Sequence, residues 1–341
     1  MQTTQVLLAR RPVGEPQDDD FEIVTRDVPA PQEGELLLRV VYLSLDPYMR
    51  GRMSAVKSYA EPVEVGGVIE GGTVCEVLES RHPDFNAGDV VLSHSGWQTH
   101  AVSHGRRVRR LDPAHAPIST AVGVLGMPGF TAYSGLREIG RPQPGETLVV
   151  AAAAGPVGSA VGQIAKVKGA RAVGIAGGPD KCAALIDDFG FDAAVDHRAA
   201  DFEQLLADAV PDGVDVYFEN VGGSVAEAVV PRLNEFARIP VCGLVAHYNE
   251  TEAPEGPNML PGFMRQVLTK SLTVRGFIQR EFARRLFPDF LTQMSAWVAD
   301  GSVRYREDFV TGLENAPEAF RGLLRGRNFG KLLVEVGPPP E

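Results

Sequence analysis

The chain has 341 residues, more than one ordinary core accommodates, so two domains are expected. Acidic residues number 44 against 33 basic ones, a formal net charge of −11; this argues against nucleic acid as a partner, because phosphate contacts need clustered Lys and Arg. Charged residues make up 23% and hydrophobic ones 44%, a globular balance, and no apolar run approaches the roughly 20 residues that cross a bilayer, so no membrane partner is expected.

Met1 to Arg11 carries no long apolar segment with a cleavage site and does not read as a secretory signal. The first 110 or so residues read mostly as strand. Glu35 to Leu45 is rich in β-formers and is stopped by Asp46-Pro47. Val65 to Leu78 is strand-like but interrupted by Gly66, Gly67, Gly71 and Gly72; Val90 to Ser93 and Trp97 to Val102 follow. Short strands at this spacing predict a bent sheet or partial barrel. The run Arg106-Arg-Val-Arg-Arg110 reads as a solvated face, or as a contact for an anionic substrate tail. Near residue 120 the pattern changes to alternating strand and helix. Strands are expected at 147–151, 172–176, 193–196, 214–219, 236–243 and 272–276, with helices at 158–168, 180–189 and about 281–299. Parallel strands need helical crossovers, so this order predicts a doubly wound sheet. The tail from Tyr305 to Val336 returns to mixed structure, plausibly rejoining the first domain, and Pro338-Pro-Pro340 is expected to fray. Cys75, Cys182 and Cys242 are isolated and form no C-x-x-C pair, which points to a reducing cytoplasm.

The sharpest local signal is Val149 to Ser159, where a strand runs into Gly155-Pro-Val-Gly158 and then a helix. Dinucleotide folds need small residues there, so that backbone can approach a pyrophosphate at a helix start. Ala153 stands in the first glycine position, so the match alone is weak, and the β-α units behind it supply the context. The second strand ends Ile175-Ala-Gly-Gly-Pro-Asp-Lys181, with small neutral residues where an NAD site usually carries an acid. A carboxylate would repel a 2′-phosphate and the Lys181 ammonium would attract one, so NADP(H) is the expected cofactor; Asp180 reads as a helix cap.

A set of motifs in fixed order goes further: Leu45-Asp-Pro-Tyr-Met-Arg-Gly-Arg52, Ala152-Ala-Ala-Gly-Pro-Val-Gly-Ser159, Val161-Gly-Gln-Ile-Ala-Lys166, Gly174-Ile-Ala-Gly-Gly178, Phe218-Glu-Asn-Val-Gly-Gly223, Cys242-Gly-Leu244 with Tyr248-Asn249, and Asn328-Phe-Gly-Lys331. Over nearly its whole length the chain resembles a zinc-free medium-chain dehydrogenase/reductase. The nearest resemblance is to the leukotriene B4 12-hydroxydehydrogenase / prostaglandin reductase group, which includes plant alkenal double-bond reductases and bacterial curcumin reductase. The resemblance implies an α/β fold: a Rossmann doubly wound parallel sheet over 123–303, plus a β-rich GroES-like partial barrel over 1–122 completed by 304–341. It implies a pyrophosphate at Gly155, Pro156, Val157 and Gly158, and a 2′-phosphate at Gly178 and Lys181. Relatives often place a Tyr beside that phosphate; this chain has Val195-Asp-His-Arg198, so His197 or Arg198 would take its place. Asn220 would lie by the nicotinamide ribose. Cys242, Gly243, Leu244, Tyr248 and Asn249 would line the cofactor and the cleft, Phe277 and Ile278 would flank the nicotinamide, and Asn328 would close on the cofactor. Tyr48 and Arg50 would meet substrate in a cleft between the domains, and a homodimer would extend the nucleotide-domain sheet.

The zinc enzymes of the wider superfamily need Cys, His and Glu ligands. Here the corresponding segment reads Val65-Gly-Gly-Val-Ile-Glu70 with no His, and His94, His100 and His104 splay around a strand, so no metal is expected. Without a Lewis acid, alcohol oxidation is disfavoured and reduction of an activated C=C bond is favoured. Hydride goes to the β-carbon of an enone or 2-alkenal, an enolate forms, and the α-carbon takes a proton. The donor to the enolate is Tyr248, as the resemblance implies, or the 2′-hydroxyl of the nicotinamide ribose. The alternatives are an NADPH quinone oxidoreductase on the same scaffold and, from another class, a non-catalytic NADPH-binding protein.

Overall fold

The structure is a computed structural model and describes residues 1–252 and 258–340. The chain divides into two compact units, Met1–Gly123 with Glu307–Glu341, and Val124–Arg306. The first unit opens with β1 (Gln2–Leu8) and β2 (Phe21–Asp27), an antiparallel pair that the sequence pattern does not single out. It continues with β3 (Leu36–Ser44), α1 (Tyr48–Arg52), β4 (Thr73–Ser80), β5 (Val90–Ser93), β6 (His100–Ser103) and β7 (Arg109–Leu111).

The second unit contains α2 (Met127–Gly135), β8 (Thr147–Val150), α3 (Pro156–Val167), β9 (Arg171–Ala176), α4 (Pro179–Asp187), β10 (Ala193–Asp196) and α5 (Phe202–Ala209). It goes on through β11 (Val214–Phe218), α6 (Gly223–Val229), β12 (Leu233–Val241), α7 (Leu260–Thr269), β13 (Thr273–Gly276) and α8 (Arg280–Ala299). The chain then returns to the first unit as β14 (Glu307–Thr311), α9 (Ala316–Leu324) and β15 (Lys331–Glu335).

In the first unit a bent sheet runs β14-β15-β3-β4-β5-β7, with β6 also on β3, the GroES-like partial barrel. The returning tail is integral to its core: Phe320, Leu332 and Val334 pack with Leu43, Leu45, Met49 and Trp97, whose indole lies 6.0 Å from the Phe21 ring and 5.7 Å from that of Phe320. The strand expected from Val65 begins only at Thr73. Before it the chain is tied to β1 by a single bridge, Leu7 to Val68, and at Gly71 it is pressed against core, where an added Cβ would lie 2.9 Å from Leu43 Cδ1 and 3.1 Å from Met49 Cε. Trp97 likewise belongs to the core, and the strand starts at His100. The proline tail is tied at Pro338, whose carbonyl accepts from Arg39 Nη1 at 2.7 Å.

In the second unit the strands run β10-β9-β8-β11-β12-β13, all parallel, the Rossmann order. The buried runs Leu148 to Val150 and Val216 to Phe218 have no polar face, as expected of strands covered on both sides. The chain reverses direction of winding between β8 and β11. The crevice at their carboxyl ends is where open α/β sheets bind ligands.

Candidate active site

Parallel strands put all their carboxyl ends on one edge, and sixteen positions singled out by sequence follow β8 to β13 on that edge. After β8, Ala152 takes a left-handed φ of +52° and turns the chain into α3. Gly155 is the extended N-cap and Pro156 the first helical residue; no side chain caps the helix, so its leading N–H groups face outward. A Cβ on Gly158 would stand 2.4 Å from Ala152 O, which explains why only glycine fits under this turn. Around Gly155, by contrast, the nearest atom to an added Cβ is Ala152 O at 3.3 Å. The result is a small-residue cradle at a bare helix start, which fits a pyrophosphate.

After β9, Gly178 has φ +97° and donates its N–H to Asp196 Oδ1 (2.8 Å), which also accepts from Arg198 N (2.9 Å). These backbone bonds, the first its main cause, hold the Asp196 carboxyl below the usual range. The His197 and Arg198 side chains converge on Gly177: an added Cβ would meet Arg198 Nε at 2.8 Å and His197 Nε2 at 2.9 Å. Desolvation, then Arg198, lowers the His197 pKa, with Lys181 acting in the same sense. Lys181 and Arg198 therefore bring positive charge beside the second strand end, with the His197 imidazole as a further hydrogen-bonding group, which fits a ribose-bound phosphate.

After β11, Asn220 donates to Ala151 O (2.8 Å) across the crevice. Glu219, which no sequence signal singles out beyond its place at a strand's carboxyl end, organises this rim. Its buried carboxylate accepts from Tyr217 Oη (2.8 Å), Val221 N (2.6 Å) and Gly222 N (2.9 Å), and its carbonyl accepts from Cys242 N and Gly243 N. Burial, with Glu219 adding to it, pushes the Cys242 thiol up to about 12, so it stays protonated. Gly243 leaves room for Tyr248, whose hydroxyl would lie 3.2 Å from an added Cβ. Leu244 is exposed; Tyr248 and Asn249 are half-buried in the turn that follows. After β13, Phe277 is buried, packs edge-on against Phe218 (6.1 Å) and lies over Gly135, while Ile278 is half-buried with its N–H on Glu281 Oε1 (2.8 Å). The Phe277 ring thus serves the core, and Ile278 is the more accessible of the two.

Tyr48, Arg50 and Asn328 belong to the first unit. The turn after β3 is held by Lys331, whose buried Nζ donates to Leu45 O (2.6 Å) and Asp46 Oδ1 (2.9 Å); Ser44 Oγ also bonds Asp46. Tyr48 is half-buried, and its hydroxyl pKa is raised by burial and then by Asp46 and Glu70, so it remains a donor. The Arg52 guanidinium lies 5.7 Å from the Tyr48 ring centre, 4.2 Å from that of Tyr59, and pairs with Glu70 at 2.8 Å. Arg50 is buried and donates to Gly14 O (2.7 Å), which makes it a brace for the 12–14 segment. Asn328 Nδ2 bonds Gly330 O (2.8 Å), shaping the turn before β15. In the basic run, Arg110 pairs with Asp89 (2.9 Å). Among the described residues no three His, Cys, Asp or Glu side chains gather as a metal site.

Comparison with known proteins places these features in a family. A profile described as the N-terminal domain of oxidoreductase matches residues 4–111, and one described as zinc-binding dehydrogenase matches 156–297. The NADPH-dependent curcumin reductase of Escherichia coli (strain K12) is 54% identical over 331 residues, 97% of this chain and 96% of that protein. The NADP(+)-dependent 2-alkenal reductase of Nicotiana tabacum is 39% identical over 338 residues, 97% of each chain. The crystal structure of CurA in complex with NADPH from Vibrio vulnificus superposes with a TM-score of 0.95 at 52% identity, covering 98% of this chain and all of that one. The chain therefore belongs to the medium-chain dehydrogenase/reductase family, in its zinc-free curcumin reductase, prostaglandin reductase and 2-alkenal reductase group.

Proposed function

We propose that this protein is an NADPH-dependent reductase of the C=C bond of enones and 2-alkenals. The observation that carries the reading is the carboxyl edge of the parallel sheet. A glycine cradle at a bare helix start and the cations Lys181 and Arg198 with the His197 imidazole suit a pyrophosphate and a 2′-phosphate, and the chain is 54% identical over 331 residues to an NADPH-dependent curcumin reductase. Bound there, reduced nicotinamide supplies a hydride equivalent to the substrate's β-carbon. The protein's part is to orient and to donate. Glu219 locks the loops after β11 and β12, Asn220 spans the crevice, and Tyr248 above Gly243 donates a hydrogen bond to the oxygen on which enolate charge develops. Tyr48 contributes to substrate binding through its neutral hydroxyl.

The test is NADPH consumption with trans-2-nonenal beside a benzoquinone, with mass-spectrometric identification of the saturated aldehyde. Turnover of the quinone alone favours the quinone oxidoreductase reading, and no turnover of either favours a binding protein. Tyr248→Phe should lower kcat by about a hundredfold with little change in NADPH affinity. Wild-type turnover in that variant would pass the donor role to the ribose hydroxyl.

The assembly is a homodimer formed along β13. That edge strand is exposed throughout, and Leu260, Met264 and Leu268 on the adjoining sequence element α7 are 60%, 53% and 80% exposed. Light scattering should give twice the chain mass for the wild type, and Val274→Pro should give the monomer. The compartment is the cytoplasm: the three cysteines are free, and no described helix is long and apolar enough to cross a membrane.

A further inference from the structure

His247 precedes Tyr248 and takes no part in the reading above, yet its ring occupies a built slot. Gly222 (φ +76°) and Gly223 (φ +54°) open α6 in left-handed conformations, and a Cβ on Gly222 would lie 2.8 Å from both His247 Cδ2 and Nε2. Gly223 N–H donates to Nε2 at 3.2 Å. A backbone N–H can only donate, so Nε2 must be bare and the proton must sit on Nδ1, where Glu250 Oε1 accepts it at 2.8 Å. Two backbone bonds run beside this link, from Val245 N to Asn220 O (3.2 Å) and from Ala246 N to Val221 O (3.0 Å). The imidazole is the third tie and the one nearest Tyr248. The ring is met by Glu250 from its own turn, and by the untitratable Gly222 and Gly223 from the start of α6.

We infer that His247 is a positioning residue for Tyr248: as the Nδ1–H tautomer it clamps the turn carrying the phenol to the start of α6. The inference deepens the role assigned to Tyr248 and rests on it. Glutamine can replace both bonds, its carbonyl accepting from Gly223 and its amide donating to Glu250.

The experiment measures kcat for trans-2-nonenal and NADPH affinity for wild type, His247→Gln, His247→Ala and Tyr248→Phe. His247→Ala should lose about tenfold in kcat, with NADPH affinity within about twofold, and glutamine should recover most of that loss. An Ala variant as fast as wild type, or equal rates for the Ala and Gln variants, would overturn the inference. If Tyr248→Phe is slow while the His247 variants show either of those results, only the role of His247 fails. If Tyr248→Phe is as fast as wild type, the donor reading fails first.

Discussion

At the carboxyl edge of the parallel sheet, Lys181, His197 and Arg198 reach solvent around a strip of glycine. In the turn after β3, Asp46, Arg50, Arg52 and Lys331 are buried, each held by a charged or carbonyl partner. The first region is open to solvent, and its shape comes from backbone. The second has already satisfied its charges and spends them on holding a turn rigid. The difference teaches that a basic residue in a motif is informative about ligand only once its own partners are known: Arg50 looks in sequence like a substrate contact, and in the fold its guanidinium is buried on the Gly14 carbonyl.

The largest expected consequence is on the closed side. Lys331→Ala strands the buried Asp46 carboxylate and should cost about 3–5 kcal/mol of stability, read from urea denaturation. A loss under about 1 kcal/mol would mean the turn is not held by that pair. Next comes the cradle. Gly158→Val drives a side chain into Ala152 O and should weaken NADPH binding about ten- to a hundredfold, measured by fluorescence titration on folded protein; undiminished binding would remove the cradle from the site. On the open side, Lys181→Ala should raise KM for NADPH about tenfold and leave NADH unchanged, with the difference shrinking as salt rises. Equal preference for the two cofactors in the wild type would refute the 2′-phosphate assignment.

The smallest effect concerns Glu307, whose Oε1 is buried without a hydrogen-bond partner. Burial raises its pKa, while the Ser119 hydroxyl (2.8 Å) and Lys331 pull it back. A folded value above the unfolded one means that folding takes up a proton. Stability from this group is therefore full below the ordinary carboxylate range and is lost as pH rises through the folded value. Glu307→Gln should be more thermostable than wild type at neutral pH, and the gap should close on acidification. A gap independent of pH would contradict that linkage.

Much of this was legible in the chain itself. Six strand-like runs alternating with helical stretches from about residue 120 predict parallel strands, and parallel strands dictate a single ligand edge; Gly155-Pro-Val-Gly158 marks where on that edge a phosphate fits, since steric demands there are local. What needed the tertiary structure were the pairings between distant segments. Lys331 reaches Asp46 across 285 positions, the Glu219 carbonyl meets Cys242 N and Gly243 N, Phe277 turns into the core above Gly135, and Gly223 meets His247. Each depends on which strands lie side by side. Periodicity reports the face a residue shows, whereas hydrogen bonds and buried charges are settled by the neighbour that arrives to meet it.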